Sequence, residues 1–162
     1  YLHQFWANSN DYSKNKNQLR KIYISRKKTS KLNILNEDNV WSFLDMFGFQ
    51  KIIAEEKSIS EIAQIFYKAS HIVGPHGSGF TNIIFCQKNT RVVEYYSKHI
   101  TNDYRNIYHQ LGFKYYVFQG MNKNKEKPSL NSIKNKRRRQ INIEPMYIPI
   151  GELHEPFDRF LL

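Results

Sequence analysis

Chemistry-bearing residues are densest in Gly74-Pro-His-Gly-Ser-Gly-Phe-Thr-Asn82. The segment follows the apolar run His71-Ile-Val73 and precedes a helix predicted after Ser78. Three glycines, Gly74, Gly77 and Gly79, let the backbone turn sharply and approach a ligand closely. The amide groups of a helix N-terminus suit an anion. Ser78, Thr81 and Asn82 add polar side chains, and His76 can hydrogen-bond a phosphate or exchange a proton. The plain alternative is a tight strand-to-helix turn that holds nothing.

Two standard phosphate loops fit poorly. In G-x-x-x-x-G-K-[ST], Gly74, Gly79 and Thr81 match, but Phe80 occupies the lysine position that contacts the terminal phosphates. In G-x-G-x-x-G, Gly77 and Gly79 match and Asn82 replaces the third glycine. Two further residues stand at strand ends. Ser25-Arg26 closes the first predicted strand, and arginine grips phosphate through two parallel hydrogen bonds. Glu94 lies in Arg91-Val-Val-Glu-Tyr95, where a carboxylate can accept from ribose hydroxyls. Arg26 can equally be a solvated member of the Arg26-Lys27-Lys28 run, and Glu94 a surface ion-pair partner. His71, His76 and Cys86 lack the ligand spacing of a zinc site, and Cys86 sits in an apolar run that reads as core. No Asp-x-Asp pair occurs, which removes the usual carboxylate grip on a metal-bound nucleotide. No metal or cofactor is expected.

The elements that must position these residues alternate. Lys21–Arg26, Phe49–Ala54, His71–Val73, Arg91–Tyr96 and Phe113–Phe118 read as strands. Helices are predicted from Asn36, as N-cap, to Gly48; after Ser60, as cap; after Ser78; over Asn102–Leu111; and over Glu152–Leu162. Strand and helix alternating in this way imply an α/β fold, a parallel sheet with helices on both faces. In such a sheet ligands bind at the carboxyl ends of the strands. That places Arg26 and the glycine segment at one edge.

The chain has 162 residues, close to one domain. Its hydrophobic share of 40% and aromatic share of 15% exclude a globally disordered chain. No run approaches the roughly 18 apolar residues of a membrane span. One cysteine excludes an internal disulfide framework. The net charge of +11 is uneven: residues 14–31 and 121–140 together carry +15, leaving −4 on the remainder. Basic segments attract phosphate-bearing partners. Residues 1–20 are expected to be a linker or the tail of a preceding domain, since the chain opens on Tyr1. Residues 21–120 form the predicted domain, 121–140 a basic loop, and 141–162 a C-terminal extension with a short extended run through Pro145 and Pro149.

In this order, Tyr23-Ile-Ser-Arg26, Asn36-Glu37, Gly48-Phe49, Ile72-Val-Gly-Pro-His-Gly-Ser-Gly-Phe-Thr-Asn-Ile-Ile-Phe85 and Val92-Val-Glu94 resemble glycosyltransferase family 61. The resemblance spans about residues 21–118. It departs at Ser78, where the family usually has alanine. It implies a Rossmann-like C-terminal half of a GT-B transferase, with the other half outside this chain. It further implies inverting transfer of a sugar from a nucleotide-sugar donor, usually a UDP-sugar, to a glycan, lipid-linked or protein hydroxyl. Arg26 would then neutralise the departing diphosphate, Gly77–Asn82 would hold it, Glu94 would face the ribose, and His76 is a candidate base. Setting is implied too: cytoplasm or membrane surface in a bacterium, the secretory lumen in a eukaryote. Lys134-Asn-Lys-Arg-Arg-Arg139 is a candidate contact for an anionic membrane surface. Nucleic-acid binding through that run is the competing reading, disfavoured because the aromatics follow core spacing rather than interleaving with the basic run. A non-catalytic remnant of the fold is the third.

Overall fold

A computed structural model describes residues 20–27, 33–97, 104–127 and 145–161. The elements run β1 (Arg20–Ile24), α1 (Glu37–Asp45), β2 (Phe49–Ile52), α2 (Ile59–Tyr67), β3 (Ala69–Pro75), a 3₁₀ run (Ser78–Phe85), β4 (Arg91–Tyr96), α3 (Arg105–Gln110), β5 (Lys114–Gln119) and α4 (His154–Leu161). The five strands form one all-parallel sheet in the order β2-β1-β3-β4-β5. This is the Rossmann-like α/β arrangement expected from the alternation. The order reverses between β1 and β3, because β2 lies on one side of β1 and every later strand on the other. A crevice opens at such a switch point, outside the carboxyl ends of the strands.

Strand alternation divides the core in two. Tyr23, Val73, Val93 and Tyr95 face one side, where Val40, Phe43 and Leu44 of α1 cover them together with Phe157 and Phe160 of α4. Ile22, Ile24, Ile72 and Val92 face the other, under Ile62 and Phe66 of α2, Phe80 and Ile83 of the 3₁₀ run, and Tyr108 of α3. Helices on both faces explain why β1 and β3 end in nearly continuous apolar runs. Residues 145–161, expected as an extension, belong to this same core: Met146, Ile148, Leu153, Phe157 and Phe160 are all buried.

Local chemistry departs from expectation at three helix starts, moving the boundary at one of them. Ser58, not Ser60, caps α2: its hydroxyl accepts from the Glu61 amide, and the Glu61 side chain accepts from the Ser58 amide. This reciprocal capping box satisfies two otherwise orphan donors. Asn36 stands at the N-terminus of α1 without a side-chain cap bond. Its amide instead donates to the Ile148 carbonyl at 2.7 Å and accepts from the Ile148 N–H at 2.9 Å. That pair ties the 145–161 segment to the start of α1. The helix expected after Ser78 winds as the tighter 3₁₀ form throughout. Residues 1–19, 28–32, 98–103 and 128–144 lie outside the described residues, and with them the Lys134–Arg139 run and most of the 1–20 and 121–140 segments.

Candidate functional site at the β1/β3 edge

Ser25 and Arg26 leave β1, and His76 leaves β3, at the same edge of adjacent parallel strands. β1 ends at Ile24 and β3 at Pro75, so Arg26 stands two residues and His76 one residue beyond the carboxyl end of its strand. The approach between the two strands is close. A Cβ on Gly74 would stand 3.0 Å from both Ile24 Cβ and the Ile24 carbonyl oxygen, and one on Gly79 would stand 3.0 Å from Ile24 Cγ2. Gly74 and Gly79 therefore serve packing: they let the 3₁₀ run sit down on the end of β1. Gly77, at φ 153°, holds a conformation that side-chain-bearing residues rarely adopt.

His76 is fixed on every side. Its N–H donates to the Tyr95 carbonyl at 2.8 Å, prolonging the β3–β4 ladder. Its ring stacks on Tyr96 with centroids 4.6 Å apart and lies 5.6 Å from that of Tyr104. The Tyr104 hydroxyl donates to the Gly77 carbonyl at 3.3 Å. Below the ring, His76 Nδ1 is 2.6 Å from Glu94 Oε1. Tyr108 and Tyr115 donate to the second oxygen, Oε2, at 3.1 and 2.9 Å. Burial and the adjacent carboxylate push both tyrosine hydroxyls well above the usual phenol range, so they stay protonated donors. With the carboxylate as acceptor, Nδ1 carries the hydrogen, and any further donation or acceptance by the ring runs through Nε2.

Glu94 is wholly buried while the His76 side chain is 12% exposed. The carboxylate expected to face a ribose is thus enclosed, with both oxygens engaged by protein groups. Two other expected ligand groups bond the backbone of their own turn: Thr81 Oγ1 donates to the Ser78 carbonyl at 2.7 Å, and the Asn82 amide donates to the Gly79 carbonyl at 3.1 Å. Thr81 is exposed and Asn82 half-buried. Ser78 is exposed beside them and Arg26 is half-buried.

A second buried carboxylate lies on the opposite face at the same edge. Glu37, in the first turn of α1, accepts on Oε1 from the Tyr23 hydroxyl at 3.1 Å and from the Ser25 hydroxyl at short range. Burial and the neighbouring Glu37 push the Tyr23 hydroxyl far above its ordinary value. In the sequence Glu37 has only its place in the Asn36-Glu37 pair. The tyrosines around Glu94 were read only as core. The available signal was Glu94 itself, a carboxylate in an otherwise apolar alternating strand. Its partners on α3 and β5 come together only through the fold.

His71, His76 and Cys86 do not converge. His71 meets Phe160 edge-on at 5.0 Å, and Cys86 is buried in the opposite core, where its thiol is pushed up by burial. Among the described residues, no three His, Cys, Asp or Glu side chains gather where a metal ion could sit. Nor is any helix there long and apolar enough to cross a membrane.

No curated protein matches the chain. A family model does, over residues 1–93, from the first residue through β1, both buried strand ends and the glycine segment to the residue before Glu94. More than half of the chain lies within that match, and the chain belongs to the family described as Glycosyltransferase 61.

Proposed function

We propose that the β1/β3 edge binds the diphosphate of a nucleotide-sugar, in a GT-B-type enzyme that transfers the sugar to a hydroxyl with inversion. The observation that carries this reading is the Glu94-held His76 beside Gly77, at the same strand edge from which Arg26 leaves β1, at the switch point of the sheet.

Inverting transfer needs two things at once. The C1–O bond to the diphosphate breaks as the acceptor oxygen bonds to C1, so negative charge builds on the leaving group and a proton must leave the acceptor. Arg26 supplies the positive charge, and the backbone amides of the Gly77 turn add fixed donors. His76 takes the acceptor proton on Nε2, and Glu94 stabilises the resulting imidazolium. A base oriented by a buried carboxylate is a recurrent arrangement. A UDP-sugar is the donor class the family favours, with a glycan, lipid-linked or protein hydroxyl as acceptor. With Arg26 supplying the charge, the transfer runs without a metal.

Calorimetric titration of the folded chain with UDP, CMP, GDP and ADP, with and without Mg²⁺, tests the site. Selective binding of one nucleotide at equal strength in both conditions, lost in Arg26→Ala, is expected. A folded chain that binds none of the four, or an Arg26→Ala variant that binds unchanged, overturns the reading.

A further inference from the structure

The second buried carboxylate, Glu37, has no part in the chemistry above, yet it governs the segment that carries Arg26. β1 ends at Ile24, and Ser25 and Lys27, the first and third residues beyond it, are each fastened. The Ser25 N–H donates to the Ile52 carbonyl at 2.8 Å, which ties it to β2. The Ser25 hydroxyl bonds Glu37 Oε1 and also accepts from the Lys27 N–H at 3.3 Å. The Lys27 ammonium meets Asp38 at 2.8 Å. Arg26 is the residue between these two anchored neighbours. Both anchors lie in the first turn of α1, but they differ in strength. Lys27 and Asp38 are solvent-exposed, and such a pair contributes little. Ser25 is 1% exposed and Glu37 is 6% exposed, so their hydrogen bond forms where an unpaired group is costly. Tyr23, wholly buried on β1, donates to the same oxygen and keeps the carboxylate from swinging away.

We propose that Glu37 is a positioning residue for the donor site: through Ser25 it holds the 25–27 turn so that Arg26 stands at the β1/β3 edge. This rests on the donor-site reading above. Binding groups held in place before the ligand arrives lose less entropy on binding, and misplacement by about 1 Å can cost about a hundredfold.

The test is a double-mutant cycle on nucleotide affinity, read by calorimetry with UDP, or with GDP or ADP if one of these binds tighter. Glu37→Ala is expected to weaken binding by about ten- to a hundredfold. In the Arg26→Ala background the same change is expected to cost less than about threefold, because the group it positions is gone. Glu37→Gln, whose amide oxygen still accepts from Ser25 and Tyr23, is expected to restore most of the affinity. Should Glu37→Ala not fold, Ser25→Ala takes its place in the cycle, with a smaller loss and the same non-additivity. A folded variant that binds like the parent, or whose effect simply adds to that of Arg26→Ala, overturns the positioning role and leaves the donor site standing. A parent chain that binds no nucleotide, or binds it equally well without Arg26, removes both.

Discussion

Glu94 Oε1 and His76 Nδ1 stand 2.6 Å apart, one residue wholly buried and the other partly exposed at the β1/β3 edge. The pair links the inside of the domain to the β1/β3 edge. Its inner half is held by Tyr108 and Tyr115, so the carboxylate is a structural element as well as the partner of His76. Glu94→Ala would leave two phenol hydroxyls and an imidazole N–H without their acceptor. Removing one member of a buried charged network costs about 3–5 kcal/mol. Urea unfolding is expected to show a loss of that order for Glu94→Ala and a markedly smaller one for Glu94→Gln. A loss below about 1 kcal/mol for the alanine variant would mean that the network is not formed.

The same pair separates chemistry from binding. Once a donor and acceptor are known, Glu94→Gln is expected to lower turnover by about a hundredfold or more, within the range of a lost acid–base contribution. Nucleotide affinity should change by only a few-fold, because Arg26 and the Gly77 turn stay in place. Equal losses in turnover and affinity would instead assign His76 to holding the donor.

Gly74 tests the close approach of β3 to β1. Its missing Cβ is matched by Ile24 Cβ and the Ile24 carbonyl oxygen, each at 3.0 Å. Backbone cannot yield as a flexible side chain can, so Gly74→Ala is expected to destabilise the domain by about 1–3 kcal/mol. The measurement is the denaturant midpoint at constant m-value. A neutral result would show that the two strands can part without cost.

Two serines beside α2 give a sharper contrast. Ser58 forms a reciprocal cap with Glu61, while Ser60 lies inside the helix and is exposed. Ser58→Ala is expected to cost about 0.5–2 kcal/mol, and Ser60→Ala close to nothing or a slight gain, since alanine favours helix. Thermal melts of the two variants side by side decide it.

His71 predicts an acid limb in stability. Burial, with Arg91 and Lys21 nearby, lowers its pKa from the ordinary 6.5 to about 4. The folded value is thus below the unfolded one. On acidification the unfolded chain takes up this proton first, so stability falls as pH drops from about 6.5 to about 4 and is unaffected by this group above that window. Melting temperatures across pH 4–7.5 are expected to decline less steeply for His71→Gln than for the parent chain. Parallel profiles would remove His71 as a source of the slope.

The alternation of strands and helices was legible because each strand is a short β-branched or aromatic run and each helix has an apolar face. Arg91–Tyr96 was even bounded correctly. The glycine segment stood out in the sequence because three glycines beside a histidine at a strand end are uncommon for a plain turn. What those glycines do was not: Gly74 and Gly79 accommodate Ile24, some fifty residues earlier. Asn36 has the composition of an N-cap, but its amide is engaged by Ile148, a partner 112 residues away that no local rule reveals. Glu94 likewise read as a ribose ligand from its strand position alone. Its burial depends on α3 and β5 closing over it. The partners of Asn36 and Glu94 are set by tertiary packing rather than by neighbours in the chain, whereas the true cap of α2 was readable locally in the Ser58-to-Glu61 spacing.

Gly74 and Gly79 have one more consequence, for the time course of ligand capture. Because the 3₁₀ run is seated on the end of β1 without a spacer, the floor of the crevice is a single interlocked unit. It cannot widen by parting the strands without disrupting core contacts of Ile24 and Phe80. Most of the ordering of this floor is completed during folding, so a nucleotide bound as proposed would meet a surface already shaped. Association would then follow simple one-step kinetics governed by encounter and charge.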